Sequence, residues 1–190
     1  GDKLLLQVDA NSAYSVGDAE HLAKLDEFNL LLIEQPLPEE QVAAHAELVR
    51  TVRTPICLDE SILSAEVARE AIDIGACSII NIKPGRVGGY LEAKKIHDLC
   101  FERGIAVWCG GMLETGIGRA ANLALAAMPG FILPGDTSAS ARYFHRDVTE
   151  PFVLHDGHLD VPTGAGIGID PDMAYLDEIS DRVDVISVAR

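Results

Sequence analysis

Basic residues are scarce in this chain: 15 Lys and Arg stand against 30 Asp and Glu, a formal net charge of −15. Nucleic-acid phosphates are bound by clustered Lys and Arg, and no basic stripe is present, so nucleic acid is not an expected partner. No apolar run approaches the roughly 20 residues of a membrane span, and no membrane partner is expected. The opening stretch GDKLLLQVDA lacks the successive charged, apolar and small-residue regions of a signal peptide. The four cysteines, Cys57, Cys77, Cys100 and Cys109, form no CxxC pair. They read as buried free thiols in a reducing cytoplasm rather than as disulfides or zinc ligands. The six histidines form no HxxxH or HExxH and read as surface residues. Dinucleotide (GxGxxG) and phosphate-loop (GxxxxGK[ST]) patterns are missing as well.

What is present is a repeating pattern. Of the 190 residues, 48% are hydrophobic, enough for one sizeable core. Short β-rich runs alternate with helical stretches: 4–10 with 18–28, 30–36 with 39–52, 55–60 with 64–75, 78–84 with 89–104, and 106–111 with 118–128. A last run, FILPGD (131–136), is the sixth expected strand. Such alternation signals βαβ units around a parallel sheet. Asp9, Glu34, Asp59 and Lys83 end four successive runs, at intervals of 25, 25 and 24 residues. In a (β/α)8 barrel, functional residues sit at the carboxy ends of the strands around a common mouth. The expected fold is therefore α/β, an incomplete TIM-type barrel with about six of the eight strands. A doubly wound open sheet, the rival, more often carries a GxGxxG turn after its first strand. Residues 1–151 are assigned to the barrel part. Residues 152–190 are assigned to a hairpin turning at Asp156-Gly157 and an acidic tail packed on the barrel or on a capping domain not represented in the chain.

The run LLLIEQP poses the chemical question, because a strand buried on both faces ends there in a carboxylate. Buried charge is costly unless it is paired or binds a metal. Asp9, Glu34 and Asp59 make a hard-oxygen set suited to Mg2+, with Mn2+ or another divalent ion as substitutes. The alternative is that each carboxylate caps the helix that follows it. Lys83 ends SIINIK, where an ammonium group is otherwise expensive. A lysine in such a setting can serve as a general base, or it forms a salt bridge to Asp59 or Glu60. Side chains of neighbouring strand residues point in opposite directions, which puts Glu60 behind the site as an orienting acid. Metal and lysine together suit proton abstraction beside a carboxylate, where the developing enediolate charge needs electrostatic support. The glycine-rich loops at 83–90 and 110–118 permit close approach at the barrel mouth. Trp108 reads as core.

DANSAY (9–14), LLLIEQPL (30–37), PICLDESI (55–62), NIKPGRVGGY (81–90), WCGGMLETGIGRAAN (108–122) and PGDTSAS (134–140) resemble the enolase superfamily. Within it they resemble the N-succinylamino acid racemase/o-succinylbenzoate synthase family, over about residues 1–170. A Lys or His base working with Mg2+ is established for enolase-superfamily sites. The resemblance implies Asp9, Glu34 and Asp59 as metal ligands and Lys83 as the acid/base on one face of the substrate. It also implies Asn11 as a polar neighbour of the reacting carboxylate and Glu60 as the acid behind the base. Gly110, Gly111, Met112 and Asp136 are implied as parts of the substrate pocket. The expected substrate is a small carboxylate, an N-acylamino acid or the o-succinylbenzoate precursor. Muconate cycloisomerase and dipeptide epimerase are related alternatives.

The pattern also departs from the family. Its Lys-x-Lys motif, whose second lysine is the opposite-face base and the expected base of the synthase reaction, has no counterpart among Lys3, Lys24, Lys83, Lys94 and Lys95. The amino-terminal capping domain is not represented either. These departures imply the carboxy-terminal half of such an enzyme, inactive by itself. That half is expected to form homo-oligomers or to associate through open barrel edges, including with a separate amino-terminal half as a non-catalytic assembly partner.

Overall fold

In a computed structural model, residues 4–182 and 184 are described. The first three residues, Lys3 among them, and the end of the expected acidic tail (183 and 185–190) lie outside the described residues. Two compact units are present. One runs to Met112 and includes Leu125–Asp136; the other comprises Leu113–Ala124 and the described residues from Thr137 onward.

The first unit carries five parallel strands: β1 (Val8–Asp9), β2 (Ile33–Glu34), β3 (Ile56–Leu58), β4 (Ile79–Ile82) and β5 (Ala106–Cys109). They lie side by side in chain order, β1-β2-β3-β4-β5. A doubly wound sheet reverses its order at a switch point; this sheet does not reverse, and it is an arc of a barrel. The helices that return the chain are α1 (Ala19–Leu22), α2 (Val42–Leu48), α3 (Ala65–Asp73), α4 (Tyr90–Arg103) and α5 (Gly116–Ala126), the last beginning in the second unit. Ser64 starts α3 as expected, its Oγ accepting the Val67 N–H at 3.2 Å. Gly104 ends α4 at φ +67°, a left-handed cap that favours glycine.

The sixth expected strand is reduced to a parallel bridge between Phe131 and Val107, with the Asp136 N–H reaching the Cys109 carbonyl at 3.0 Å. Pro134 has no N–H to give to a ladder, and glycines flank the run at Gly130 and Gly135. The helix expected over 18–28 is α1 flanked by 3-10 turns.

Alternation along the strands separates two apolar layers. Ile33, Ile56, Leu58, Ile80, Ile82, Val107 and Cys109 join the larger core with residues of the surrounding helices, such as Leu48, Ala68, Ala71, Ile96 and Cys100. Leu32, Cys57, Ile79 and Trp108 form a second, smaller layer on the opposite face. Trp108 is core, as expected, and its Nε1–H points to Cys57 Sγ at 3.4 Å. His45 and His97, expected at the surface, are buried.

The second unit is organised around Arg119, which is 1% exposed. Its Nε–H donates to the Ser138 carbonyl (2.5 Å), and its Nη1 lies 3.5 Å from Asp147 Oδ2. Asp147 also accepts from the Ser140 hydroxyl and the Gly116 amide, so this buried pair is well satisfied. Asp156 (φ +49°) and Gly157 (φ +81°) make the expected tight turn, closed by a His155–His158 bridge. Helix α6 (Met173–Ile179) follows.

Candidate active site

Strand parity assembles the site. The face that carries Leu32, Cys57, Ile79 and Trp108 continues, two residues further along each strand, into Glu34, Asp59, Asn81 and Gly110. Asp9 pairs in register with Glu34, and Lys83 lies two residues beyond Asn81. The apolar layer thus floors a polar layer at the carboxy ends of the strands, the position of catalytic groups in barrels.

The polar layer is a connected network. Asn81 Nδ2–H donates to Glu34 Oε1 at 2.7 Å. Lys83 Nζ donates to Asp59 Oδ2 at 2.6 Å, and Arg86 Nη1 pairs with Asp59 Oδ1. Of the two partners expected for Lys83, Asp59 is the one in contact. Asp9 Oδ1 accepts the Asn11 amide at 2.9 Å, in a turn where Asn11 and Ser12 have φ +44° and +62°. A Cβ on Gly110 would overlap the Asn81 amide oxygen and stand 2.5 Å from Lys83 Cε, so only glycine lets that loop lie over the lysine. A Cβ on Gly111 would overlap the backbone carbonyl of Asp136, which brings these two pocket candidates together. Met112 follows Gly111 and is half exposed.

The electrostatics are those of crowded acids. Burial pushes the Glu34 carboxyl up to about 7, and the charges of Asp9 and Asp59 push the same way; the Asn81 hydrogen bond and Lys83 oppose them. Glu60 is also raised, by burial first and by Asp59 next, with Arg86 opposing. Glu60 Oε2 and Asn81 Oδ1 are buried without a hydrogen-bond partner.

Among the described residues, no three His, Cys, Asp or Glu side chains stand ready as a metal cage. Lys83 and Arg86 hold the two Asp59 oxygens instead. The donor chemistry nevertheless fits a divalent cation: hard carboxylate oxygens on adjacent strands, with Glu34 raised by burial first and by the charges of Asp9 and Asp59 besides. A cation among them and the Asp59 ion pairs are two ways of satisfying the same carboxylate.

Sequence reasoning missed Asn81 and Arg86 of this network, and also Gln35, whose side-chain oxygen accepts the backbone N–H of Asp59 at 2.9 Å. Asn81 shares the face of Lys83 two residues earlier, a parity signal that could have found it. Arg86 and Gln35 lie in irregular backbone after strand ends, where parity gives no direction.

Residues 1–175 match the family model described as "Enolase C-terminal domain-like". The chain belongs to this family. The strand order is thus the family's barrel seen in one of its members. Among curated relatives, an N-succinylamino acid racemase from an Amycolatopsis species is 66% identical over 180 residues, covering 95% of this chain and 49% of the relative. An o-succinylbenzoate synthase from Geobacillus kaustophilus is 57% identical over 173 residues, covering 90% and 46%. Among solved structures, an enolase-superfamily protein from Listeria innocua superposes with a TM-score of 0.89 at 47% identity, covering 93% of this chain and 48% of that one. A dipeptide epimerase from Cytophaga hutchinsonii, complexed with Mg and the dipeptide D-Ala-L-Val, superposes with a TM-score of 0.86 at 29% identity, covering 94% and 49%. The chain spans about half the length of the curated relatives it matches.

Proposed function

We propose that the chain is the barrel part of a Mg2+-dependent enzyme that abstracts the proton alpha to a carboxylate, as an N-succinylamino acid racemase, an o-succinylbenzoate synthase, or both. The observation that carries this reading is the placement of Asp9, Glu34, Asp59 and Lys83 on one sheet face at the strand ends. The names of the two curated relatives support both activities, and the Mg in the epimerase complex supports the choice of metal.

In this reading Asp9, Glu34 and Asp59 hold the metal, and Asn81 orients Glu34 for that task. Bound there, Mg2+ would supply positive charge to the substrate carboxylate and relieve the crowding of the three acids. Lys83 Nζ takes the Cα proton on one face and returns it there. Glu60, whose carboxyl feels the charges of Asp59 and Arg86, serves as the acid behind the base. Asn11, Gly110, Gly111, Met112 and Asp136 line the substrate side. Inversion requires a second base on the opposite face; the 190 residues contain no Lys-x-Lys from which the family draws it. The reading places the protein in the cytoplasm, where its four buried cysteines stay reduced.

The test is proton exchange in D2O with Mg2+, using each enantiomer of N-succinyl-phenylalanine separately and following the Cα proton by NMR. The expected result is exchange of one enantiomer without inversion, and so no racemase or synthase turnover by the chain alone, with the exchange abolished by Lys83→Ala. Exchange of neither enantiomer, or exchange that survives Lys83→Ala, overturns the assignment of Lys83.

A further inference from the structure

Gln35 follows Glu34 directly and is 0% exposed. Its side-chain oxygen accepts the backbone amides of Asp59 (2.9 Å) and Ser61 (3.2 Å). Its Nε2 donates to the Leu37 carbonyl (2.9 Å) and to Ser61 Oγ (2.8 Å). Two bonds accepted and two donated use the full capacity of a primary amide. The backbone of the same residue is also engaged: its N–H donates to the Cys57 carbonyl at 2.8 Å, and its carbonyl accepts the Ser12 amide at 2.7 Å. One residue therefore touches the end of β2, the end of β3 and the turn after β1, the segments that carry Glu34, Asp59 and Asp9.

The backbone of Gln35 makes the arrangement informative. Its φ is +35°, in the left-handed region that residues other than glycine rarely adopt. It also precedes Pro36, a position where the chain ordinarily prefers extended backbone. Such strain persists only where the surroundings over-determine it, and it concentrates at functional sites. A glycine would relieve the strain, but it would leave the amides of Asp59 and Ser61 without a partner.

We propose that Gln35 is a positioning residue that sets the separation of the three strand-end carboxylates. The proposal rests on the reading of those carboxylates as metal ligands. A neutral amide suits this role better than a charged group. A carboxylate there would add a fourth negative charge to the cluster and could not donate to Leu37 and Ser61. A lysine or arginine would compete with the metal as counter-cation and could not accept from Asp59 and Ser61.

The experiment is an electron paramagnetic resonance titration of free Mn2+ on the chain and on Gln35→Leu, Gln35→Glu and Ser61→Ala, with far-UV circular dichroism and urea unfolding of each. Groups that hold a ligand in place typically cost about tenfold or more in metal affinity when removed. Gln35→Leu is therefore expected to raise the Mn2+ Kd by about tenfold or more while its circular dichroism stays that of the parent. Ser61→Ala, which removes a single contact of Gln35, is expected to raise it less, and it decides the matter together with Gln35→Glu if Gln35→Leu does not fold. Folded variants that bind Mn2+ with the parental Kd, and differ only in urea midpoint, overturn the proposal and leave the metal reading standing. A parent chain that binds no Mn2+ overturns both.

Discussion

Gly110 shows how narrow the tolerance of this site is at the scale of one residue. Added to Gly110, a methyl group would collide with the Asn81 amide and press on the Lys83 stem. Gly110→Ala is expected to destabilise the fold by about 1–3 kcal/mol, measured by urea unfolding, and to abolish Lys83-dependent exchange. His45 supports a prediction with a sign. Its Nε2 accepts the Leu37 N–H at 3.2 Å and its Nδ1–H faces the Gln41 carbonyl at 3.0 Å, which suits the neutral ring. Burial holds its pKa below the ordinary 6.5, against a smaller opposing pull from the Gln41 carbonyl. Between that lowered value and 6.5 the unfolded chain binds a proton that the folded chain refuses, so this contribution is lost as pH falls through 6.5. Glu34, raised to about 7, slopes the other way, and the comparison must therefore be made against a variant. In urea unfolding from pH 7.5 to 5.5, His45→Gln is expected to lose less stability than the parent; equal slopes would contradict the assignment. At this scale Asp9, Glu34, Asp59 and Lys83 were legible because each sets a charge at the end of an apolar run. Gln35 and Asn81 were not, because a neutral amide creates no such conflict until its partners are known.

At the scale of elements, the alternation and phase of the strands were legible and their lengths were not. A β-rich run of seven residues, LLLQVDA, yields a strand of two, Val8–Asp9, because pairing requires a neighbour in register as well as a suitable composition. The run at 131–136 keeps a single bridge for the same reason, with Pro134 removing a donor. The start of α3 was legible because Ser64 caps it; Ser64→Ala is expected to cost about 1 kcal/mol in urea unfolding. The small layer of Leu32, Cys57, Ile79 and Trp108 beneath the polar groups sets a larger stake. Trp108→Ala is expected to cost about 3–5 kcal/mol and to lower exchange activity by tilting the floor on which Asn81 and Glu34 stand.

At the scale of the whole molecule, β1 stands first in the sheet, and just before it Leu4, Leu5 and Leu6 are 82%, 74% and 58% exposed. A sheet edge preceded by exposed apolar side chains invites another chain. Association through it is expected, and sedimentation should show a species larger than a monomer that Leu5→Lys reduces; a parent chain that remains a monomer would contradict it. The barrel arc was legible as a whole from the spacing of its strand ends. The ion pairs that Asp59 makes with Lys83 and Arg86 were not fully legible, since they depend on how a loop after β4 turns back toward the mouth.

The three strand-end carboxylates are expected to form one divalent-cation site although Lys83 and Arg86 pair with Asp59. The most direct test is Mn2+ binding followed by electron paramagnetic resonance on the parent, Asp9→Asn, Glu34→Gln and Asp59→Asn. One saturable site is expected in the parent, weakened about tenfold or more in each variant. Binding that does not saturate, or that Glu34→Gln leaves unchanged, would contradict it.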